Sequence, residues 1–156
     1  MVETLTPPTV EEKEPVKTLK DISALAGLKD LETLTITGNA IKDISVLTGL
    51  KSLKTLNGAQ NEIEKIGNLA ENMPKLETLN LSDNKLADIS GIKGLSKLAS
   101  VDFSENKTIS DVSVFAEFDP KVLKTVNISE NSKLTYIGSS AFNNCRSQRP
   151  RQNIMF

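Results

Sequence analysis

The chain has 156 residues, 38% of them hydrophobic, and its 19 basic and 20 acidic side chains leave a net charge of −1. That balance offers no electrostatic footprint for nucleic acid or an anionic membrane surface. With no histidine and one cysteine, Cys145, the chain has no means to build a histidine-based nucleophile system, a His-ligated zinc site or an intrachain disulfide.

Residues 1–18 (MVETLTPPTVEEKEPVKT) are rich in proline and glutamate. They bury too little to fold alone and read as a disordered or extended linker. Their first ten residues have neither the basic start nor the apolar run of a secretory signal. No later apolar run approaches the roughly 18 residues of a membrane span. From Leu19 an apolar residue recurs every third position, at Leu19, Ile22, Leu25 and Leu28. This matches the second half of the units that follow, so the ordered part begins with a half coil.

Five segments then share the form LxxLxLxxN. They are Leu31-Leu34-Ile36-Asn39, Leu53-Leu56-Gly58-Asn61, Leu76-Leu79-Leu81-Asn84, Leu98-Val101-Phe103-Asn106 and Leu123-Val126-Ile128-Asn131. Their asparagines recur every 22 to 25 residues, a period that specifies a solenoid. In each first half the apolar residues alternate with polar ones, which predicts a short strand buried on one face. In each second half they step by three (Ile41, Ile44, Leu47, Leu50; Ile63, Ile66, Leu69; Leu86, Ile89, Ile92, Leu95), which suits 3₁₀ or extended segments better than an α-helix. Asp43, Asp88 and Asp111 fall where a turn needs a side-chain acceptor for free backbone N–H groups. Asn39, Asn61, Asn84, Asn106 and Asn131 form a structural ladder, each amide satisfying backbone groups where the chain leaves a strand.

These repeats, ending in NxIxDIsxL, resemble the short bacterial leucine-rich repeats of the internalin kind, and also those of the leucine-rich regulatory subunit of protein phosphatase 1. From Leu134 to Cys145 the wording LTYIGSSAFNNC is similar to the repeat of BspA-like bacterial surface proteins. The resemblance implies an α/β leucine-rich-repeat solenoid over residues 19–145, with a parallel sheet on its concave face and 3₁₀ or irregular segments on the convex one. Residues 146–156 hold all three arginines of the chain and are expected to be an irregular basic tail without a role.

Side chains alternating with the buried leucines must point out from the sheet. Candidate ligand-binding residues on that concave face are Thr33, Thr35, Thr55, Asn57, Thr78, Asn80, Ser100, Asp102, Thr125 and Asn127. The grid is small, polar and without the Trp, Tyr and Arg that favour hot spots. Just before each ladder asparagine stand Gly38, Gln60, Asp83, Glu105 and Glu130. Three consecutive acids suit a hard cation such as Ca²⁺, but no loop closes around them, so solvated surface charge is the reading. Asn127-Ile128-Ser129 fits a glycosylation acceptor, yet in a repeat strand it reads as structural. Gly58 breaks the pattern, standing where the other coils have Ile36, Leu81, Phe103 and Ile128. A filling neighbour such as Phe103, or an inward bend of the backbone, is the expected remedy.

No catalytic residue, metal site or cofactor is expected. By resemblance, the chain reads as a non-catalytic protein-interaction module of a bacterial cell-surface or secreted adhesin-like protein. Its partner would be a protein, from host or matrix, or a glycan. The alternative is an intracellular, cytoplasmic scaffold similar to the phosphatase regulatory subunit.

Overall fold

A computed structural model describes residues 19–134 and the backbone of residues 153–155. The linker expected over residues 1–18 and the BspA-like stretch beyond Leu134 lie outside the described residues. Among the described residues six strands form one parallel sheet in chain order: β1 (Thr33–Thr35), β2 (Thr55–Asn57), β3 (Thr78–Asn80), β4 (Ser100–Asp102), β5 (Thr125–Asn127) and β6 (Asn153–Met155). The register places Leu34, Leu56, Leu79 and Val101 side by side with Val126. Each points into a continuous core that also takes Ile36, Leu81, Phe103 and Ile128. Each strand is three residues long because the repeat has only two apolar strand positions to bury before it turns away.

On the convex side the step of three becomes 3₁₀ turns at Ser23–Leu25, Ser90–Ile92 and Ser113–Glu117. One coil departs from it. After Leu69 the next buried residue is Met73, a step of four, and the chain forms a single α turn, α1 (Leu69–Asn72), whose Asn68 side chain accepts the Glu71 N–H at 3.2 Å. A step of four closes the i→i−4 bond that a step of three does not. In the longest coil, bulk fills the extra length: Phe115 lies 6.5 Å from Phe103 and 6.3 Å from Phe118, centroid to centroid.

The aspartates act as expected. Asp43, Asp88 and Asp111 accept the N–H of Ser45, Ser90 and Ser113 at 2.8, 2.7 and 2.8 Å, and Asp21 does the same for Ser23 at 2.9 Å. The Ser90 hydroxyl and N–H hold Asp88 below the usual carboxylate range, and the Ser113 N–H and hydroxyl do so for Asp111. A lowered folded-state pKa contributes stability above the unfolded pKa and loses it as pH falls through the folded value. Melting temperature should therefore drop as acid takes the chain below about pH 4. In an Asp88→Asn/Asp111→Asn variant, which keeps an acceptor without the charge, the acid-induced drop should be shallower. An unchanged acid profile would remove these turns as its source.

The half coil is present but thinly covered: only Ile22 is fully buried, Leu25 is half-buried, and Leu19 and Leu28 are exposed. Nothing among the described residues packs on their outer side. The tail expected to be irregular supplies β6, with Asn153, Ile154 and Met155 in register with Thr125, Val126 and Asn127. Its signal was present: Ile154 and Phe156 are spaced like Val126 and Ile128. The arginines, one of them (Arg151) at the position of Leu123, obscured it.

Gly58 is buried without a void. A Cβ built there would lie 3.0 Å from Leu81 Cδ2, 3.3 Å from Ile63 Cδ1 and 3.7 Å from Ile36 Cγ1. Aliphatic side chains of this coil and its two neighbours close the gap, and Phe103 is not among these nearest atoms. Gly58→Leu should then overpack the core and cost about 1–3 kcal/mol. Gly58→Ala, needing only a small shift of two flexible side-chain ends, should change stability much less. Chemical denaturation reads both; a stabilised Leu variant would show that the space is open.

Candidate functional site

The asparagine ladder stitches coil to coil. Asn61, Asn84 and Asn106 accept, through Oδ1, the N–H of Ile41, Ile63 and Leu86 one coil earlier at 3.1, 2.8 and 3.0 Å. Their Nδ2 groups donate to Ile36, Gly58 and Leu81 carbonyls of that earlier coil at 2.9, 3.0 and 2.9 Å. Each also donates to two carbonyls of its own coil, as Asn106 does to Phe103 and Ser104. Asn39 keeps the two local bonds and accepts the Leu19 N–H. Asn131 donates in the same way, but its buried Oδ1 has no partner among the described residues. The cause is an inserted residue: NKTISDVS is one longer than NKLADIS, and the Ile109 N–H turns back to the Asn106 carbonyl at 3.0 Å.

The ten concave-face candidates divide into two columns. Thr33, Thr55, Thr78, Ser100 and Thr125 lie side by side across the sheet. Thr33 and Thr78 are exposed and the other three half-buried. The second column is Thr35, Asn57, Asn80, Asp102 and Asn127, and its last four members are half-buried and already engaged. The Asn57, Asn80, Asp102 and Asn127 Oδ1 atoms accept the N–H two residues on, from Ala59, Ser82, Ser104 and Ser129, at 3.2, 3.0, 2.9 and 3.2 Å. The Ser82, Ser104 and Ser129 hydroxyls donate to the same oxygens, and Asn127 Nδ2 donates to Asp102 Oδ2 at 3.0 Å. These side chains pin the exit of each strand. Their signal was the recurring Asn/Asp-x-Ser, which also accounts for Asn127-Ile128-Ser129 as a turn.

The acidic column has a backbone cause as well. Gln60, Asp83, Glu105 and Glu130 have φ of 56°, 51°, 59° and 57°, and Gly38 has 73°. Each coil thus turns through a left-handed residue, and only the first uses the glycine that this conformation favours. The side chains project outward at one-strand intervals, and among the described residues no group of three or more potential ligands converges on a metal site. No described helix is long and apolar enough to cross a membrane.

A family model described as leucine-rich repeats, two copies, matches residues 51–94 and again 74–117. Those spans contain two complete ladder coils and the parallel strands β2 to β4. The fold is a leucine-rich-repeat solenoid. Among solved structures, a chain from the crystal structure of the Drosophila melanogaster SNF/U2A′ complex superposes with a TM-score of 0.54 at 20% identity, covering 81% of this chain and 72% of that one. At that identity the likeness concerns the fold alone. No curated protein sequence matches.

Proposed function

We propose that this leucine-rich-repeat solenoid is a non-catalytic module that binds a protein through the outer concave column. The observation that carries it is a row of uncommitted hydroxyls. Thr33, Thr55, Thr78, Ser100 and Thr125 make no side-chain hydrogen bond among the described residues, whereas four of the five side chains in the neighbouring column are spent on the fold. A row of donors and acceptors spaced at about 4.8 Å suits an extended polypeptide, and a glycan offers hydroxyls for the same grid. Affinity is expected to be modest, since no aromatic anchor stands on this face. The setting we propose is a bacterial cell-surface or secreted protein meeting a host or matrix partner, on the resemblance of its repeats to internalin-like and BspA-like sequences.

Asn80, Asp102 and Asn127 are poor places to test this, because replacing them would loosen the turns they hold. Thr78→Lys/Ser100→Lys/Thr125→Lys places three long charges on the outer column instead. Partner capture from host-cell and matrix extracts should be lost in this variant and kept in the convex-side variant Ser110→Lys. Equal capture by both, with melting curves unchanged, would move the site off this face.

A further inference from the structure

Gly58 has a chemical consequence as well as a packing one, because Asn57-Gly58 is the one Asn-Gly pair in the chain. An asparagine amide is open to attack by the backbone nitrogen of the next residue. The side chain of that next residue is what ordinarily hinders the approach, and glycine has none. Asn80 and Asn127, the counterparts of Asn57 in its column, are followed by Leu81 and Ile128. The reaction consumes only water. The Gly58 nitrogen, losing its proton, bonds to Asn57 Cγ; the Cγ–Nδ2 bond breaks and ammonia leaves, closing a cyclic imide. Water then opens the ring. Cleavage at Cγ leaves an ordinary aspartate, and cleavage at the main-chain carbonyl leaves an isoaspartate, whose backbone runs through Cβ and Cγ.

The fold holds this chemistry shut. Asn57 is half-buried at the end of β2, between Thr35 and Asn80 of the adjacent strands. The Gly58 N–H donates to the Asn80 carbonyl at 2.8 Å, so the attacking nitrogen is engaged. The amide is engaged as well, its Oδ1 accepting the Ala59 N–H at 3.2 Å. Ring closure also requires the ψ of Asn57 to rotate far from the roughly +115° of a parallel strand. That rotation breaks the ladder on both sides. The Asn57 carbonyl accepts the Ile36 N–H at 2.8 Å, and the Gly58 carbonyl accepts the Asn61 and Asn84 amides at 3.1 and 3.0 Å.

We propose that Asn57 is a deamidation site closed by the native ladder, and that isoaspartate formed there when the β2 coil opens keeps that coil from closing again. The two products differ in what they leave of the fold. Aspartate suits the position: Asp102 stands in the same column, and its Oδ1 accepts the Ser104 N–H at 2.9 Å. Thr35 and Asn80, on either side, carry no charge to oppose it. Isoaspartate moves the acceptor of the Ile36 N–H out of the main chain and adds a carbon to the path into Gly58. Asn61 and Asn84 then lose the carbonyl they share, and with it a stitch between coils. A reversible local opening is thereby made irreversible.

Peptide-mapping mass spectrometry of the full chain, incubated at mildly alkaline pH in buffer and in urea, tests this. In urea Asn57 should convert faster than any other asparagine, and Gly58→Ala should slow it. In buffer the same conversion should be at least about tenfold slower, since strand cores open only rarely. Partly converted chains are then diluted from urea into buffer and treated briefly with protease. The isoaspartyl chains should be digested and the aspartyl chains spared. Equal rates at Asn57 in buffer and urea, or faster conversion at another asparagine in urea, would overturn the proposal. Equal digestion of the two products would overturn it too.

Discussion

Asn106→Ala should destabilise the chain by about 3 kcal/mol, the upper end for orphaning a buried polar group. Asn106 is fully buried. Its amide joins three carbonyls and one N–H drawn from two coils, namely Leu81, Phe103 and Ser104 as acceptors and Leu86 as donor. Alanine would leave the Leu86 N–H without a partner and without water, and an N–H has no second way to be satisfied. Asn131→Ala is the internal comparison. Its Oδ1 accepts nothing among the described residues, so that variant orphans no described donor and should cost clearly less. Denaturant midpoints of the two variants measure the difference. Equal losses would mean that the acceptor half of the ladder contributes nothing to stability.

Gly91→Ala should also cost about 3 kcal/mol, at or beyond the usual limit for overpacking. A Cβ on Gly91 would stand 1.9 Å from the Gly67 carbonyl oxygen and 2.9 Å from Ile66 Cγ1. The obstacle is backbone, which has no rotamer to move away. Gly67 is itself confined, with φ +64° and a virtual Cβ 2.7 Å from Ser45 Cβ. The convex turns of these three coils are therefore pinched together through Ser45, Gly67 and Gly91. The sequence-equivalent positions in other coils hold Ala24, Val46, Asn68 and Val114, so the requirement is local to this junction. Ser96→Ala, on an exposed neighbouring position, should leave the midpoint unchanged. A Gly91→Ala protein as stable as the parent would show that the coils separate there at little cost.

The repeat period, the strand positions, the burial of the apolar strand residues and the turn-acceptor role of Asp43, Asp88 and Asp111 were all legible in the sequence. The physical reason is locality: alternation of two, a step of three and an Asx turn are each decided within a few residues, and identical units stack in one way. The ladder's partners were not legible, because Asn61 bonds Ile36 and Ile41 of the preceding coil, 25 and 20 residues away. Nor was the division of the concave face, where Thr78 stays free while Asn80, two residues on, is spent on Ser82. The same holds for the left-handed turns at Asp83, Glu105 and Glu130, which only the shared path of the coils imposes on non-glycine residues. Sequence alone determined that this chain is a leucine-rich solenoid and where its strands lie. The tertiary structure decided which polar side chains are consumed in joining coils and which are left uncommitted, because that depends on neighbours brought together only when one coil stacks on the next.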